Sequence, residues 1–133
     1  MKSLAIIAAC LLWTAAGAVA APYDGSTAMK CTIQTVLACS DATICVRGTA
    51  ATVNLPPVLT VDVANAVISG AATGRTVQIM SVDRGSGKMI LRGMEARALG
   101  VAWDLLVDET SGAMSGAVLS QGGYLLFGGC AAP

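Results

Sequence analysis

The chain has 133 residues, 55% of them hydrophobic and 12% charged, a balance that supports one cored domain and excludes a disordered polymer. Eight basic residues meet eight acidic ones and aromatics are 4%, so there is neither a phosphate-holding basic excess nor an aromatic ladder, and nucleic acid is not an expected partner. Histidine is absent, which removes Ser-His-Asp and Cys-His catalysis and the commonest metal ligand.

Residues 1–20 read as a signal peptide. Lys2 is the positive n-region, Leu4 to Trp13 the apolar run, and Ala18-Val19-Ala20 the small-residue cleavage site. Cleavage after Ala20 is expected, since one residue later would place Pro22 directly after the scissile bond. Ile7-Ala8-Ala9-Cys10 resembles a lipid-attachment box, but the apolar run before Cys10 is about half a normal h-region and no polar tether follows. Fewer than about 18 uninterrupted apolar residues are present, so no retained membrane anchor is expected. The expected location is periplasmic or secreted. Without Lys2 seven basic residues face eight acidic ones, a net charge of 7 − 8 = −1.

Loss of Cys10 turns five cysteines into an even set, Cys31, Cys39, Cys45 and Cys130, which in an oxidising compartment reads as two disulfides. Zinc is the competing use, but no C-x2-C pair is present and no histidine completes a mixed site.

Residues 21–28 are small and polar and read as a leading linker; 29–133 read as a single β domain. A strand begins at Lys30 with alternation through Leu37. Ser40-Asp41-Ala42-Thr43 carries turn chemistry, and Ile44 to Val53 is β-branched, so a hairpin is expected. Such a hairpin would make Cys39 and Cys45 face each other, favouring Cys39–Cys45 and leaving Cys31 for Cys130. Sequence alone leaves all three pairings open.

Pro56-Pro57 interrupts pairing. Further strands are expected at 58–63, 66–69, 75–82, 88–93, 100–107, 113–120 and 123–130, joined by short Gly-, Asp-, Asn- and Ser-rich turns. Val61-Asp62, Val82-Asp83 and Val107-Asp108 recur at strand ends as a weak, irregular echo of hairpin chemistry. Met94 to Leu99 are all good helix formers and suggest one helical turn. From Val101 the alternation is clean, with Trp103 and Leu105 on the buried face. Tyr124 to Phe127 is apolar on both faces and must be covered or paired centrally. Trp103, Leu105 and Phe127 are the expected core anchors. The expected fold is all-β: a small antiparallel meander of about eight or nine short strands closing as a barrel or a two-sheet sandwich.

Candidate chemistry is sparse. Asp104 and Asp108 share a strand face about 13 Å apart, too far for a paired-carboxylate site. With Glu109 they read as solvent-facing acids before a turn. Asp83 to Lys88 lacks phosphate-loop spacing and reads as a hairpin turn, and Asp108 to Gly112 falls short of a calcium loop. Arg75, Arg84, Lys88, Arg92 and Arg97 concentrate positive charge in the middle third, a candidate recognition patch for an anionic partner, with solvated strand faces as the simpler reading. Met80, Met89, Met94 and Met114 could fill the core or line an adaptable surface. No catalytic, cofactor-binding or metal-ligating residue is assigned, and no cofactor is expected.

The layout is similar to small periplasmic barrels in general, a class that includes inhibitors of lysozymes and proteases and binders of apolar ligands; this is fold-level analogy. The expected role is an exported, non-catalytic module that recognises another protein, with carriage of a small apolar ligand as the alternative. A carboxylate-dependent enzyme ranks third, because nucleophile, base and orienter are not all filled. An outer-membrane barrel ranks last, since it needs strands of about 9–11 residues with aromatic girdles.

Overall fold

The computed structural model describes residues 21–95 and 100–131; residues 1–20, expected to be a leader, fall outside them. Ten antiparallel strands form one curled, half-barrel sheet. They are β1 (Met29–Cys39), β2 (Cys45–Gly48), β3 (Val58–Asp62), β4 (Val67–Gly70), β5 (Thr76–Gln78), β6 (Ser81–Gly85), β7 (Lys88–Glu95), β8 (Val101–Asp108), β9 (Ala113–Leu119) and β10 (Gly123–Ala131). Their order is β5-β4-β3-β1-β10-β9-β8-β7-β6, with β2 paired to β1 off this path. The sandwich alternative is therefore not adopted, because every strand belongs to the same sheet.

The tenth strand arises where one continuous strand was expected over 75–82. Ile79 N–H donates to Ala66 O (2.8 Å) on the β4 side, and Met80 N–H donates to Arg92 O (2.7 Å) on the β7 side. Between these residues the chain leaves one edge of the sheet and joins the other. Ile79 is buried and Met80 is 69% exposed, so the bend also separates a core residue from a surface one. The two end strands of the order are thus consecutive in the chain, which is what curls the sheet.

β1 organises the rest. Its first half pairs with β3 (Met29↔Val61 to Thr32↔Val58) and its second half with β2 (Val36↔Gly48 to Cys39↔Cys45). Between them the register along β10 shifts at Ile33/Thr35, a bulge of the kind that re-aims a strand. The expected strand 44–53 therefore stops at Gly48 and becomes a 3-10 turn, Ala50–Val53, closed by Asn54 in the left-handed region (φ 54°). Along its other edge β1 pairs with β10 over its length.

Both disulfides hold β1. Cys31–Cys130 joins it to β10 and Cys39–Cys45 joins it to β2, in each case between residues directly opposite in the ladder. The pairing is the one the hairpin geometry favours. Such bonds belong to an oxidising compartment.

The interior side is packed by Met29, Ile33, Val36, Met89, Leu91, Leu105, Val107 and Leu126, among others. Leu105 is buried as expected. Phe127 is not: it is 47% exposed. β10 is apolar on both faces, so its sequence carries no phase; the register Leu126↔Val36 turns Leu126 inward and leaves Leu125 and Phe127 outside. Trp103 is half-buried and packs against this core without belonging to its fully buried set. Met29, Met89 and Leu91 are the largest fully buried side chains.

The helical turn expected near 94–99 is contradicted where it can be seen. Met94 and Glu95 end β7, paired with Ala102 and Val101, because a cross-strand ladder outweighs weak intrinsic propensity. Residues 96–99, with Arg97, lie outside the described residues. The segment read as a linker is docked: Tyr23 N–H donates to Glu109 O (3.2 Å), Arg84 Nη2 donates to Asp24 O (2.7 Å), and Tyr23 packs on the core.

Turns follow local chemistry. Ser86 and Gly87 both have positive φ (53° and 70°) and connect paired Gly85 and Lys88, a two-residue type I′ hairpin. The Asp41 carboxylate accepts from Thr43 N–H (2.8 Å), the Thr43 hydroxyl (2.8 Å) and Ile44 N–H (2.9 Å). Asp62 holds Asn65 (3.0 and 2.8 Å). Asp108 accepts from Ser111 N–H (2.8 Å), the Ser111 hydroxyl (3.0 Å) and Thr110 N–H (3.0 Å), and from Lys88 Nζ (3.1 Å). Two of the three Val-Asp echoes are therefore the same Asx device, whereas Asp83 lies within β6 and pairs with Arg92.

These bonds favour the ionised carboxylates. Asp108 is held well below the ordinary value of 3.8, first by the Ser111 backbone N–H and then by Lys88. Asp41 is lowered by Thr43 and Ile44, Asp62 by Asn65 and Asp24 by Ser26. A carboxylate with a lowered folded-state pKa contributes stability above its unfolded pKa, and that contribution is lost as pH falls through the folded value. Stability should therefore be flat near neutrality and fall below about pH 4. In urea titrations at stepped pH, Asp108→Asn should flatten that acid limb; an unchanged limb would contradict the assignment.

Candidate functional site

Among the described residues, four of the five cations of the candidate patch are each paired with an acid. Arg75 pairs with Glu95 (3.6 Å), Arg84 with Glu109, Lys88 with Asp108 (3.1 Å), and Arg92 with both Asp83 (2.7 Å) and Asp104 (3.2 Å). Lys88 and Arg92 have theirs because β7 and β8 set Asp108 and Asp104 directly opposite them, while Arg75 and Arg84 reach Glu95 and Glu109 outside the direct strand pairs. Asp104 and Asp108 are accordingly engaged by Arg92 and Lys88, as cross-strand partners. No group of three or more metal-ligating side chains occurs among the described residues.

Two other features stand out, one on each side of the sheet. On the core side lies a partly open cavity of about 120 Å³. Its wall is almost wholly apolar: Ile33, Leu59, Ile68, Val77, Trp103 and Val118 contribute, from six strands. Arg75 and Glu95 stand among the lining residues as its charged members, together with Asp104. Arg75 also donates to Asn54 O (3.0 Å). The Trp103 Nε1–H is buried and has no acceptor among the described residues.

Trp103 is positioned by a glycine. Gly93 is its cross-strand partner, and a Cβ at 93 would collide with the indole ring and stand 2.6 Å from Gln78 O. The indole lies over bare backbone, and β5 passes close behind.

Outside, the alternation of β7 to β10 leaves a band of apolar side chains on the solvent face. The pairings Phe127↔Ser115, Leu125↔Ala117 and Gly123↔Leu119 align β10 with β9, and Ala102↔Leu119 and Met94↔Ala102 carry the band onto β8 and β7. Phe127, Leu125, Leu119 and Met94 are 47%, 43%, 59% and 55% exposed. In the same row as Leu125 the neighbours are Leu37 and then Arg47 on one side, and Ala117, Asp104 and Arg92 on the other. The band is apolar at its centre and charged at both flanks.

Sequence reasoning offered an apolar-ligand interior as an alternative but located neither feature. The double-sided apolarity of β10 was the signal for the outer band. The cavity had none, since its wall is assembled from strands distant in the chain.

No helix of the described residues is long and apolar enough to cross a membrane, which leaves strand-based spanning unaddressed. No family model, no curated protein and no solved structure matches this chain.

Proposed function

We propose that this is an exported, non-catalytic binding module, acting in the periplasm or outside the cell, and that it recognises another protein through the outer face of β7 to β10. The observation carrying this reading is the exposed band Phe127–Leu125–Leu119–Met94. Isolated exposed apolar residues need no explanation, but four aligned on one sheet face do. The face belongs to the outside of a curled sheet, so it cannot enclose a small molecule, which requires concavity. A protein surface suits it, because an apolar centre with charged flanks is the pattern of a protein interface. A lipid surface suits it less, since Arg92, Asp83 and Asp104 would lose water on contact. The absence of histidine favours binding over general acid–base chemistry at neutral pH.

The test is retention of a partner from an exported-protein fraction of the native host by wild type and by Leu125→Ser/Phe127→Ser. The double variant should lose retention at least tenfold, about 1.4 kcal/mol or more. Both side chains are about half-exposed, so unfolding stability should fall by no more than about 1 kcal/mol. Equal retention by both proteins, or binding only to anionic vesicles, would overturn the reading.

A second reading, carriage of a small apolar ligand, is favoured by the core-side cavity and is independent of the outer band.

A further inference from the structure

We infer that the cavity is a binding site for a short monocarboxylic acid, with an apolar tail of about six carbons inside and its carboxylate at Arg75. This deepens the ligand-carrier reading and rests on it.

The size follows from the volume. At about 120 Å³, the cavity is comparable with an apolar protein cavity of roughly 150 Å³ that stays dry and admits benzene. A six-carbon group fits that space. The wall of Ile33, Leu59, Ile68, Val77 and Val118 offers such a tail dispersion contacts and no competing polar partner.

The head group follows from the donors. Two donors line the cavity, one without an acceptor and one held by Asn54 O (3.0 Å) and, loosely, by Glu95. Trp103 Nε1–H is buried without one, which is costly for a polar group away from water. Arg75 presents its guanidinium beside the cavity, and its contact with Glu95 is long at 3.6 Å, with side chains 48% and 30% exposed. A close charge-assisted pair would stand at about 2.7–2.9 Å, so the Arg75–Glu95 pair is loose and exchangeable. An occupant that supplies acceptors, and not further donors, complements this arrangement. A carboxylate does so, and it competes directly with Glu95 for the same cation.

That competition supplies a signed test. Hexanoate is titrated into the full chain while the Trp103 indole N–H resonance is followed by NMR, with Trp103→Phe used to assign it and hexan-1-ol as the uncharged probe. Saturable movement of the indole resonance with hexanoate is expected. Arg75→Gln should weaken hexanoate about tenfold, the loss of one charge-assisted contact, and leave hexan-1-ol unchanged. Glu95→Gln should tighten hexanoate by about threefold, because the competing carboxylate is gone.

Absence of a saturable shift at tens of millimolar hexanoate would overturn the site. Equal weakening of hexanoate and hexan-1-ol by Arg75→Gln, or weaker hexanoate binding in Glu95→Gln, would overturn the head-group assignment. None of these variants touches the outer band, so partner retention by that face should be unchanged and the two readings can fail separately.

Discussion

Cys31→Ala/Cys130→Ala should lower the unfolding free energy by about 4–5 kcal/mol, against about 2 kcal/mol for Cys39→Ala/Cys45→Ala. The two bonds span 99 and 6 residues, and the entropy a cross-link removes from the unfolded chain grows with the logarithm of the loop. Position acts in the same direction. Cys31 and Cys130 are core residues, and their bond fastens β10 along the edge of β1 that carries the longest pairing. Cys45 is exposed, and β2 lies off the main path of the sheet. A domain of this size has about 5–15 kcal/mol in all, so the first variant should be largely unfolded at 37 °C while the second remains folded. Urea unfolding followed by far-ultraviolet circular dichroism gives both values. A larger loss from the Cys39/Cys45 variant would contradict the role assigned to the β1–β10 seam.

Gly93→Ala should cost about 2–3 kcal/mol, a large penalty for one methyl group, because the new Cβ overpacks a filled site. It meets the Trp103 ring on one side and Gln78 O at 2.6 Å on the other, and the second neighbour is backbone that cannot rotate away. Trp103→Ala alone should cost about 3 kcal/mol, the lower end for a large aromatic because the side chain is only half-buried. The diagnostic quantity is the coupling. In the Trp103→Ala background the added methyl has the indole space to enter, so Gly93→Ala should then cost roughly 1 kcal/mol, leaving an interaction term of more than 1 kcal/mol in the double-mutant cycle. Additive losses would mean that the ring does not lie on Gly93.

Where local chemistry decides structure, the sequence was informative. Asp41, Asp62 and Asp108 each open a turn by accepting backbone N–H groups, and Ser86-Gly87 supplies the two positive φ values a tight hairpin requires. Strict alternation from Val101 to Val107 set the phase of β8, and the hairpin between β1 and β2 made Cys39 face Cys45. The failures share another cause. Phe127 was assigned to the core because an apolar stretch without alternation has no phase; only pairing with β1 turns Leu126 in and Phe127 out. The break at Ile79/Met80 left no punctuation such as Gly or Pro, and it exists because the strand exchanges one partner for another. The five basic residues looked like a patch in sequence. Cross-strand register set Asp108 opposite Lys88 and Asp104 opposite Arg92, Arg75 and Arg84 reach Glu95 and Glu109, and Arg97 lies outside the described residues. The cavity and its Arg75–Glu95 rim depend on β5 approaching β7, a long-range event with no local signature.

The outer-face assignment is tested most directly by site-specific photo-crosslinking in the native host. A photoreactive residue is placed at Leu125 or Leu119, with Ala64 as control: Ala64 is exposed in the turn between β3 and β4, and β1 separates those strands from β10. A discrete protein adduct at Leu125 and Leu119, absent at Ala64 and lost when Phe127→Ser is added, is the expected result. Adducts of equal yield at all three positions, or none at Leu125 and Leu119, would contradict a recognition surface on β9 and β10.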